Sequence, residues 1–299
     1  MAAATDVVLF DTYSVVFRAF HALPPLATSK GLPTSALYGL ASLVLKVIRE
    51  QGPAEVAFAL DPPGRTFRAA RYPDYKAGRA PTPSALGQQL ERLPRLLEAF
   101  EVPVFCVPGF EADDVLATVA RRVAESGRHT LIVSGDRDLL QTAGERTRIL
   151  FIGRRGQDAE LYDAKRVEAR FGVPPAKLPA YVALVGDTSD HLIGVPGVGP
   201  RTAAELVGRF GSMAEVLSHL DQVNPSKVRE ALREAAARVL TNETLARLRN
   251  DVPLEGTTLS APLTESSRRR LAAAFEELEY KTLLARLERL ELSPPAEPK

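Results

Sequence analysis

Tryptophan is absent from this 299-residue sequence, cysteine occurs once, methionine twice and histidine four times. A lone cysteine excludes a framework of intramolecular disulfides, which fits a reducing compartment, and without a Cys/His cluster no structural zinc site is expected. Cys106 stands in the apolar run Val104-Phe-Cys-Val107, where core packing in an interior strand is its expected role. His21, His129, His191 and His219 form no Ser/His/Asp or Cys/His constellation, so nucleophilic catalysis through histidine is not supported. Long apolar runs are lacking too: none approaches the roughly 18 residues of a membrane span, and Met1-Ala-Ala-Ala-Thr-Asp6 has no basic stretch leading into an apolar one. A soluble cytoplasmic protein is therefore expected. No Walker loop with its Gly-Lys-Ser/Thr ending occurs. Nor is there an excess of charge: 38 Lys and Arg face 37 Asp and Glu, a net charge of +1, which argues against a general polyanion binder.

What the sequence has is a hydrophobic content of 45%, enough for a substantial core in one domain with an appended subdomain or in two small domains. It also places acids in a repeated position. Asp11 follows Val7-Val-Leu-Phe10, Asp61 follows Val56-Ala-Phe-Ala-Leu60, and Asp136 and Asp138 follow Thr130-Leu-Ile-Val133. Glu111, Asp113 and Asp114 lie between the run at 104–107 and a helical pattern through Val115, Leu116, Val119 and Val123. One such acid would be an ordinary capped first turn of a helix. Four sets at the ends of four strand-like runs are a different matter, because ligands of open α/β sheets bind at the carboxyl ends of the strands. Crowded carboxylates are stable there only when cations neutralise them, and oxygen donors of this kind suit Mg²⁺ or Mn²⁺. The alternation of strands with crossover-length connections predicts an α/β fold with a mostly parallel central sheet flanked by helices.

The segment 64–83 differs in kind. Arg65, Arg68, Arg71, Lys76 and Arg79 stand against only Asp74, with Phe67, Tyr72 and Tyr75 interleaved. Cations neutralise phosphates and aromatic faces stack on unpaired bases, so this is a candidate nucleic-acid surface. A helix bent at Pro94 is expected to follow it, through Leu86, Leu90, Leu93 and Leu97. Arg18 lies near enough to Asp11 to meet a phosphate at the same edge. From about Asp163 the pattern turns helical, and Leu184-Val-Gly-Asp-Thr-Ser-Asp190 leads into Gly194-Val-Pro-Gly-Val-Gly199 and a helix from Arg201. Asp187 and Asp190, three apart, would face the same way on a helical turn. The glycines allow a hairpin whose amides approach a phosphate closely, with a helix N-terminus behind them. With nine acids assigned to a site (Asp11, Asp61, Glu111, Asp113, Asp114, Asp136, Asp138, Asp187, Asp190), 38 basic residues face 28 acids elsewhere, so the remaining surface is basic.

Taken together, Phe10-Asp11 with Phe17-Arg-Ala-Phe-His21, Asp61 with Thr66-Phe-Arg68, Tyr75-Lys-Ala-Gly-Arg79, Phe110-Glu-Ala-Asp-Asp-Val-Leu116, Gly135-Asp-Arg-Asp138, and Gly186-Asp-Thr-Ser-Asp190 with Gly194 to Gly199 give the chain a family resemblance. From about Val7 to Leu290 it resembles the 5′ nuclease domain of bacterial DNA polymerase I and the related stand-alone flap endonucleases and 5′ exonucleases. The resemblance implies a PIN-like nuclease core over 1–162, including a basic helical arch over 64–100. It also implies a helix-three-turn-helix DNA-binding module over 163–260, C-terminal helices over 261–292 that return to the core, and a disordered tail over 293–299. Asp11, Asp61, Glu111 and Asp113 correspond to ligands of one Mg²⁺, and Asp136, Asp138, Asp187 and Asp190 to those of a second, with Mn²⁺ able to substitute. Asp114 corresponds to a bridging or supporting position. Lys76 and Arg79 match arch residues that engage the scissile phosphate, with Arg18 beside them. Arg65, Arg68, Arg71 and Tyr75, together with Gly194, Val195, Gly197, Val198, Gly199, Arg201 and Thr202, are the implied DNA contacts, and the hairpin carbonyls are an implied K⁺ site.

The implied activity is metal-dependent hydrolysis of DNA with a 5′ end or flap, by a monomer working alongside a DNA polymerase. With no polymerase sequence following in these 299 residues, the chain is expected to resemble the free-standing branch unless it is an excised piece. Thr12, Leu60, His191 and Ile193 depart from the family pattern, bearing on fine geometry and rate, and none removes a carboxylate. Two other functions compete with this one. A non-catalytic binder of branched DNA with the same fold has the retained carboxylates against it. A small-molecule phosphatase would need neither the basic segment nor the hairpin.

Overall fold

A computed structural model describes residues 5–77, 80–153, 158–254 and 259–292. Strands β1 (Val7–Asp11), β2 (Glu55–Ala59), β3 (Val104–Phe105), β4 (Thr130–Ser134), β5 (Thr147–Phe151) and β6 (Glu160–Tyr162) form one sheet in the order β3-β2-β1-β4-β5-β6. All pairings are parallel except β5 with β6. The crossovers are α1 (Thr12–Ala22) and α2 (Ser35–Gln51) after β1, then α3 (Phe67–Arg71), α4 (Ser84–Leu90) and α5 (Leu93–Phe100) after β2, and α6 (Ala112–Glu125) after β3. The period-2 alternation of β1 explains the layering: Val8 and Phe10 face the apolar surface of α1, α2 and α5, while Val7 and Leu9 face α6. Both faces are covered, which is why the central strands read as unbroken apolar runs.

The remaining helices are α7 (Ala164–Phe171), α8 (Leu178–Val185), α9 (Pro200–Phe210), α10 (Met213–Ser218), α11 (Ser226–Glu234), α12 (Ala236–Ala246), α13 (Glu265–Glu277) and α14 (Lys281–Glu288). Of these, α7 to α12 extend the core on the α6 side, and α13 and α14 return to the opposite face beside α5 and α2. Among the described residues no helix is long and apolar enough to cross a membrane.

Several expectations need correction. β3 is a two-residue strand at the sheet edge, not an interior strand, so Val104 is 39% exposed and Cys106 is exposed rather than packed in the core. The helix expected to bend at Pro94 is two helices, because Pro94 lacks the N–H an interior position needs and instead sits in the first turn of α5. Leu86, Leu93, Leu96, Leu97 and Phe100 are buried in the core, so this part of the expected arch over 64–100 packs with the sheet. The short antiparallel strand β6 went unforeseen. The expected tail at 293–299 lies outside the described residues.

Candidate active site

β1 lies where the connections reverse, with β2 on one side and β4 on the other. At such a switch point the loops leaving the strands part and open a crevice beyond their carboxyl ends. The crevice here is a cleft of about 2420 Å³ whose walls include Asp11, Asp61, Asp113, Asp136 and Asp187 together with Arg18 and Lys76.

Asp11 ends β1 and caps α1, accepting a hydrogen bond from the Ser14 N–H at 3.3 Å. Its other oxygen accepts from the Ser134 hydroxyl at 2.5 Å. Asp61, exposed after β2, accepts from the Ala112 N–H at 2.8 Å, which ties the β2 loop to the start of α6. Asp113 projects from the first turn of α6. Asp136 follows β4 and accepts from the Asp138 N–H at 2.9 Å. Burial pushes the Asp11 carboxyl up to about 7, with the charges of Asp136 and Asp61 adding to it against the Ser134 hydrogen bond. Asp113 is raised well above the usual range by burial and then by Asp136 and Asp11. Burial likewise raises Asp138, and after it the charges of Asp136, Asp190 and Asp187. Asp138 therefore shares one field with Asp187 and Asp190, which come from the far side of α7 and α8 in sequence.

Asp187 and Asp190 lie on a β-turn rather than the expected helical turn. Gly186–Asp187 pairs antiparallel with Leu192–Ile193, and Asp187 accepts from the Ser189 N–H at 2.7 Å and the Asp190 N–H at 3.3 Å. Gly186 is required there: a Cβ on it would come within 2.6 Å of the Gly194 nitrogen.

Glu111 shifts the opposite way from Asp11, Asp113, Asp138 and Asp190. Burial would raise it, but Lys76, whose Nζ is 3.0 Å away, and Arg68 prevail and hold its carboxyl below the usual range. Thr66 and Tyr75 also donate to it, each at 3.1 Å. The Tyr75 hydroxyl equally reaches Asp190 at 2.9 Å. Buried between two carboxylates, this phenol is shifted strongly upward, so it stays a donor.

Three expected roles do not survive. Arg68 was expected on the DNA-facing surface, yet it is 1% exposed and grips Asp114 through two bonds of 2.6 and 2.7 Å. It also donates to the carbonyls of Leu245 at 2.7 Å and Arg247 at 3.0 Å. Asp114 is fully buried, and both its oxygens are taken up by Arg68 and by the N–H groups of Glu111 and Arg249. That leaves it no face for a cation. Tyr75, 6% exposed, has no free face for a base either.

Arg65 and Arg71 are exposed as expected, and Arg18 lines the cleft while donating to the Gly135 carbonyl at 2.6 Å. Arg79 lies outside the described residues. In the hairpin, Val195 and Val198 point into the core while Gly197, Gly199 and Arg201 are exposed and Gly194 and Thr202 are half-buried. Gly197 has φ of +81° and open space where a Cβ would be. The hydroxyls of Ser14 and Ser134 were missed, although each stands within three residues of an acid on the motif.

Among the described residues no three His, Cys, Asp or Glu side chains are already closed around one point. Asp11, Asp61, Asp113, Asp136 and Asp187 instead line an open cleft. The donor set is all carboxylate oxygen, and the raised proton affinities of Asp11, Asp113, Asp138 and Asp190 mark negative charge that the protein's own cations leave undercompensated. Both properties fit hard divalent cations.

The comparisons agree with this geometry. Residues 6–172 match the 5′-3′ exonuclease N-terminal resolvase-like domain, and residues 173–269 match the 5′-3′ exonuclease C-terminal SAM fold. DNA polymerase I of Mycobacterium bovis is 37% identical over 287 residues, covering 95% of this chain and 32% of the polymerase. The chain thus spans about a third of the length of the polymerases it matches. The fold is similar to that of the T5 5′-exonuclease solved with bound zinc, with a TM-score of 0.66 and 20% identity over 95% of this chain and 98% of that one. It is also similar to the catalytic core of Rad2 in complex with DNA, with a TM-score of 0.62 and 14% identity over 95% and 93% of the two chains. By its two domain matches, its relatives and its arrangement of acids, the chain belongs to the 5′-3′ exonuclease family.

Proposed function

We propose that this protein is a divalent-metal-dependent, structure-specific 5′ nuclease that hydrolyses DNA phosphodiesters at 5′ ends and flaps. The observation that carries this reading is the crowd of carboxylates at the switch point of the sheet, with Asp11, Asp61, Asp113, Asp136 and Asp187 on one cleft beside Arg18 and Lys76. Asp11, Asp61, Glu111 and Asp113 are assigned to one cation, and Asp136, Asp138, Asp187 and Asp190 to another, with Mg²⁺ the natural ion and Mn²⁺ a substitute. Bound there, two divalent ions supply charge neutralisation for the attacking water and the leaving oxygen of an in-line displacement.

The chain's own residues position the substrate. Lys76, and Arg79 with it, meet the scissile phosphate from the arch, and Arg18 approaches from the floor. The exposed backbone at Gly197 and Gly199, followed by the N-terminus of α9 and Arg201, receives the duplex phosphates, and its carbonyls offer a K⁺ site. Tyr75 and Arg68 act from within, holding Glu111, Asp190 and Asp114. We assign the protein to the cytoplasm as a monomer working with a DNA polymerase, a partnership supported by the polymerase relatives.

The test is incubation of the purified chain with labelled 5′-flap and linear duplex DNA, in magnesium and in chelator. Cleavage near the junction in magnesium alone is expected. Stable binding without cleavage in either magnesium or manganese would refute the nuclease reading and leave a branched-DNA binder.

A further inference from the structure

We propose that Ser134 is a positioning residue that sets the spacing between the two halves of the acid cluster, so that divalent cations meet a preformed donor set. This rests on the metal-dependent reading above. Ser134 is the last residue of β4 and is fully buried. Its hydroxyl accepts from the Asp136 N–H at 2.8 Å and donates to Asp11 Oδ2 at 2.5 Å. The second contact has the length of a charge-assisted O–H···O⁻ bond, the stronger kind. The hydroxyl thus links the backbone of the β4 loop directly to the carboxylate at the end of β1. Those two acids are assigned to different cations.

The link is anchored on every side. The Ser134 carbonyl accepts from the Ile152 N–H at 2.8 Å, which fixes the strand end. Ser14 donates its N–H to Asp11 Oδ1 and accepts from the Gly135 N–H at 2.9 Å, while Arg18 donates to the Gly135 carbonyl at 2.6 Å. Helix α1 therefore holds both backbone groups of Gly135. A Cβ on Gly135 would lie 2.5 Å from Arg18 Nε and 3.1 Å from Ser14 Oγ, so the loop and the helix are packed without slack. Asp11 and Asp136 carry like charge and, left alone, would drift apart. The Ser134 hydroxyl bonds to both residues and opposes that drift.

The experiment compares the wild type, Ser134→Ala and Ser134→Thr, with Mn²⁺ binding to the DNA-free protein read by calorimetry and thermal unfolding read in parallel. Removing an outer hydrogen-bond partner of a ligating group typically weakens metal binding by about 10–100-fold, and that loss is expected for Ser134→Ala. Ser134→Thr keeps the hydroxyl and should restore binding to within a few-fold. The magnesium concentration for half-maximal cleavage should shift in step, with the KM for flap DNA at saturating magnesium unchanged. If the alanine chain fails to fold, Ser134→Cys keeps the size, replaces O–H with a weak donor, and should show the same loss.

Wild-type manganese affinity in a folded Ser134→Ala protein would overturn the proposal. Equal weakening in Ser134→Ala and Ser134→Thr, matched by equal loss of thermal stability, would overturn it as well by assigning the residue to packing. A wild-type chain that neither binds manganese nor cleaves would instead overturn the nuclease reading itself.

Discussion

Arg68→Ala tests whether the arch base is held by a buried clamp or by DNA. The guanidinium is 1% exposed, its partner Asp114 is fully buried, and two bonds of 2.6 and 2.7 Å join them. A third contact, 3.3 Å to Glu111, and two to carbonyls at the end of α12 use the rest of the fork. Truncation would leave the Asp114 charge in the core with only two backbone N–H donors. Breaking a buried pair from one side typically costs about 3–5 kcal/mol, most of it the penalty of the stranded charge. With roughly 2–4 °C lost per kcal/mol in domains of 150–250 residues, thermal unfolding of the metal-free protein should come down by about 10 °C. Arg68→Met with Asp114→Asn removes both charges together, and the double variant should lose clearly less than the two single losses added. Circular dichroism melts measure this, and fluorescence anisotropy on labelled duplex measures the alternative. A melting temperature within a degree or two of wild type, paired with weakened duplex affinity, would refute the clamp and return Arg68 to the DNA-facing surface.

Asp136→Asn should abolish most turnover while raising the melting temperature of the metal-free protein by about 2–5 °C, because it removes a charge that raises Asp11, Asp113 and Asp138; near-normal cleavage by the folded variant would take Asp136 out of the cation site. Gly197→Val should weaken duplex binding, since φ of +81° disfavours a branched side chain and the added Cβ covers the exposed backbone; unchanged affinity on an electrophoretic shift assay would remove the hairpin from the interface. Lys76→Ala, and Arg79→Ala alongside it, should lower the single-turnover rate at saturating enzyme by about 10²–10³-fold, the loss typical of one preorganised donor, with a smaller effect on affinity. A wild-type saturated rate in both variants would reduce these cations to a surface that gathers substrate.

The acids at strand ends were legible because two signals coincide, an apolar run long enough to be a buried strand and a carboxylate directly after it. Asp11, Asp61 and Asp136 carry both, and the structure places all three on one cleft. Arg68 was misread because a sequence shows a cation among cations and aromatics but not which way it turns. Its partner Asp114 is 46 residues away, and only the fold brings Leu245 and Arg247 to the same place. Tyr75 was misread for the same reason. The Asp187–Asp190 turn followed from glycine rather than periodicity: Gly186 at φ of +85° ends α8 and starts a two-residue strand, so helical spacing does not continue past it. Ser14 and Ser134 carried no signal, since a serine near an acid is common and its role depends on a neighbour more than 100 residues away.

The acidic cleft is electrically two-sided, and that asymmetry says where cations are needed. On the arch side, Glu111 and Asp114 are compensated from within by Lys76 and Arg68, and Glu111 is held ionised below its usual range. Toward the strand ends, burial and mutual repulsion raise Asp11, Asp113 and Asp138 instead. A carboxylate in that condition is stabilised by a proton or by a metal ion, and near neutral pH the proton is readily displaced. The core thus leaves these acids undercompensated while neutralising their neighbours, and on the proposed reading divalent ions would be directed there. On this reasoning Lys76 has two roles. It neutralises Glu111 in the cation-free protein, and we propose that, once a cation takes over that charge, its ammonium turns to a phosphate arriving at the same place.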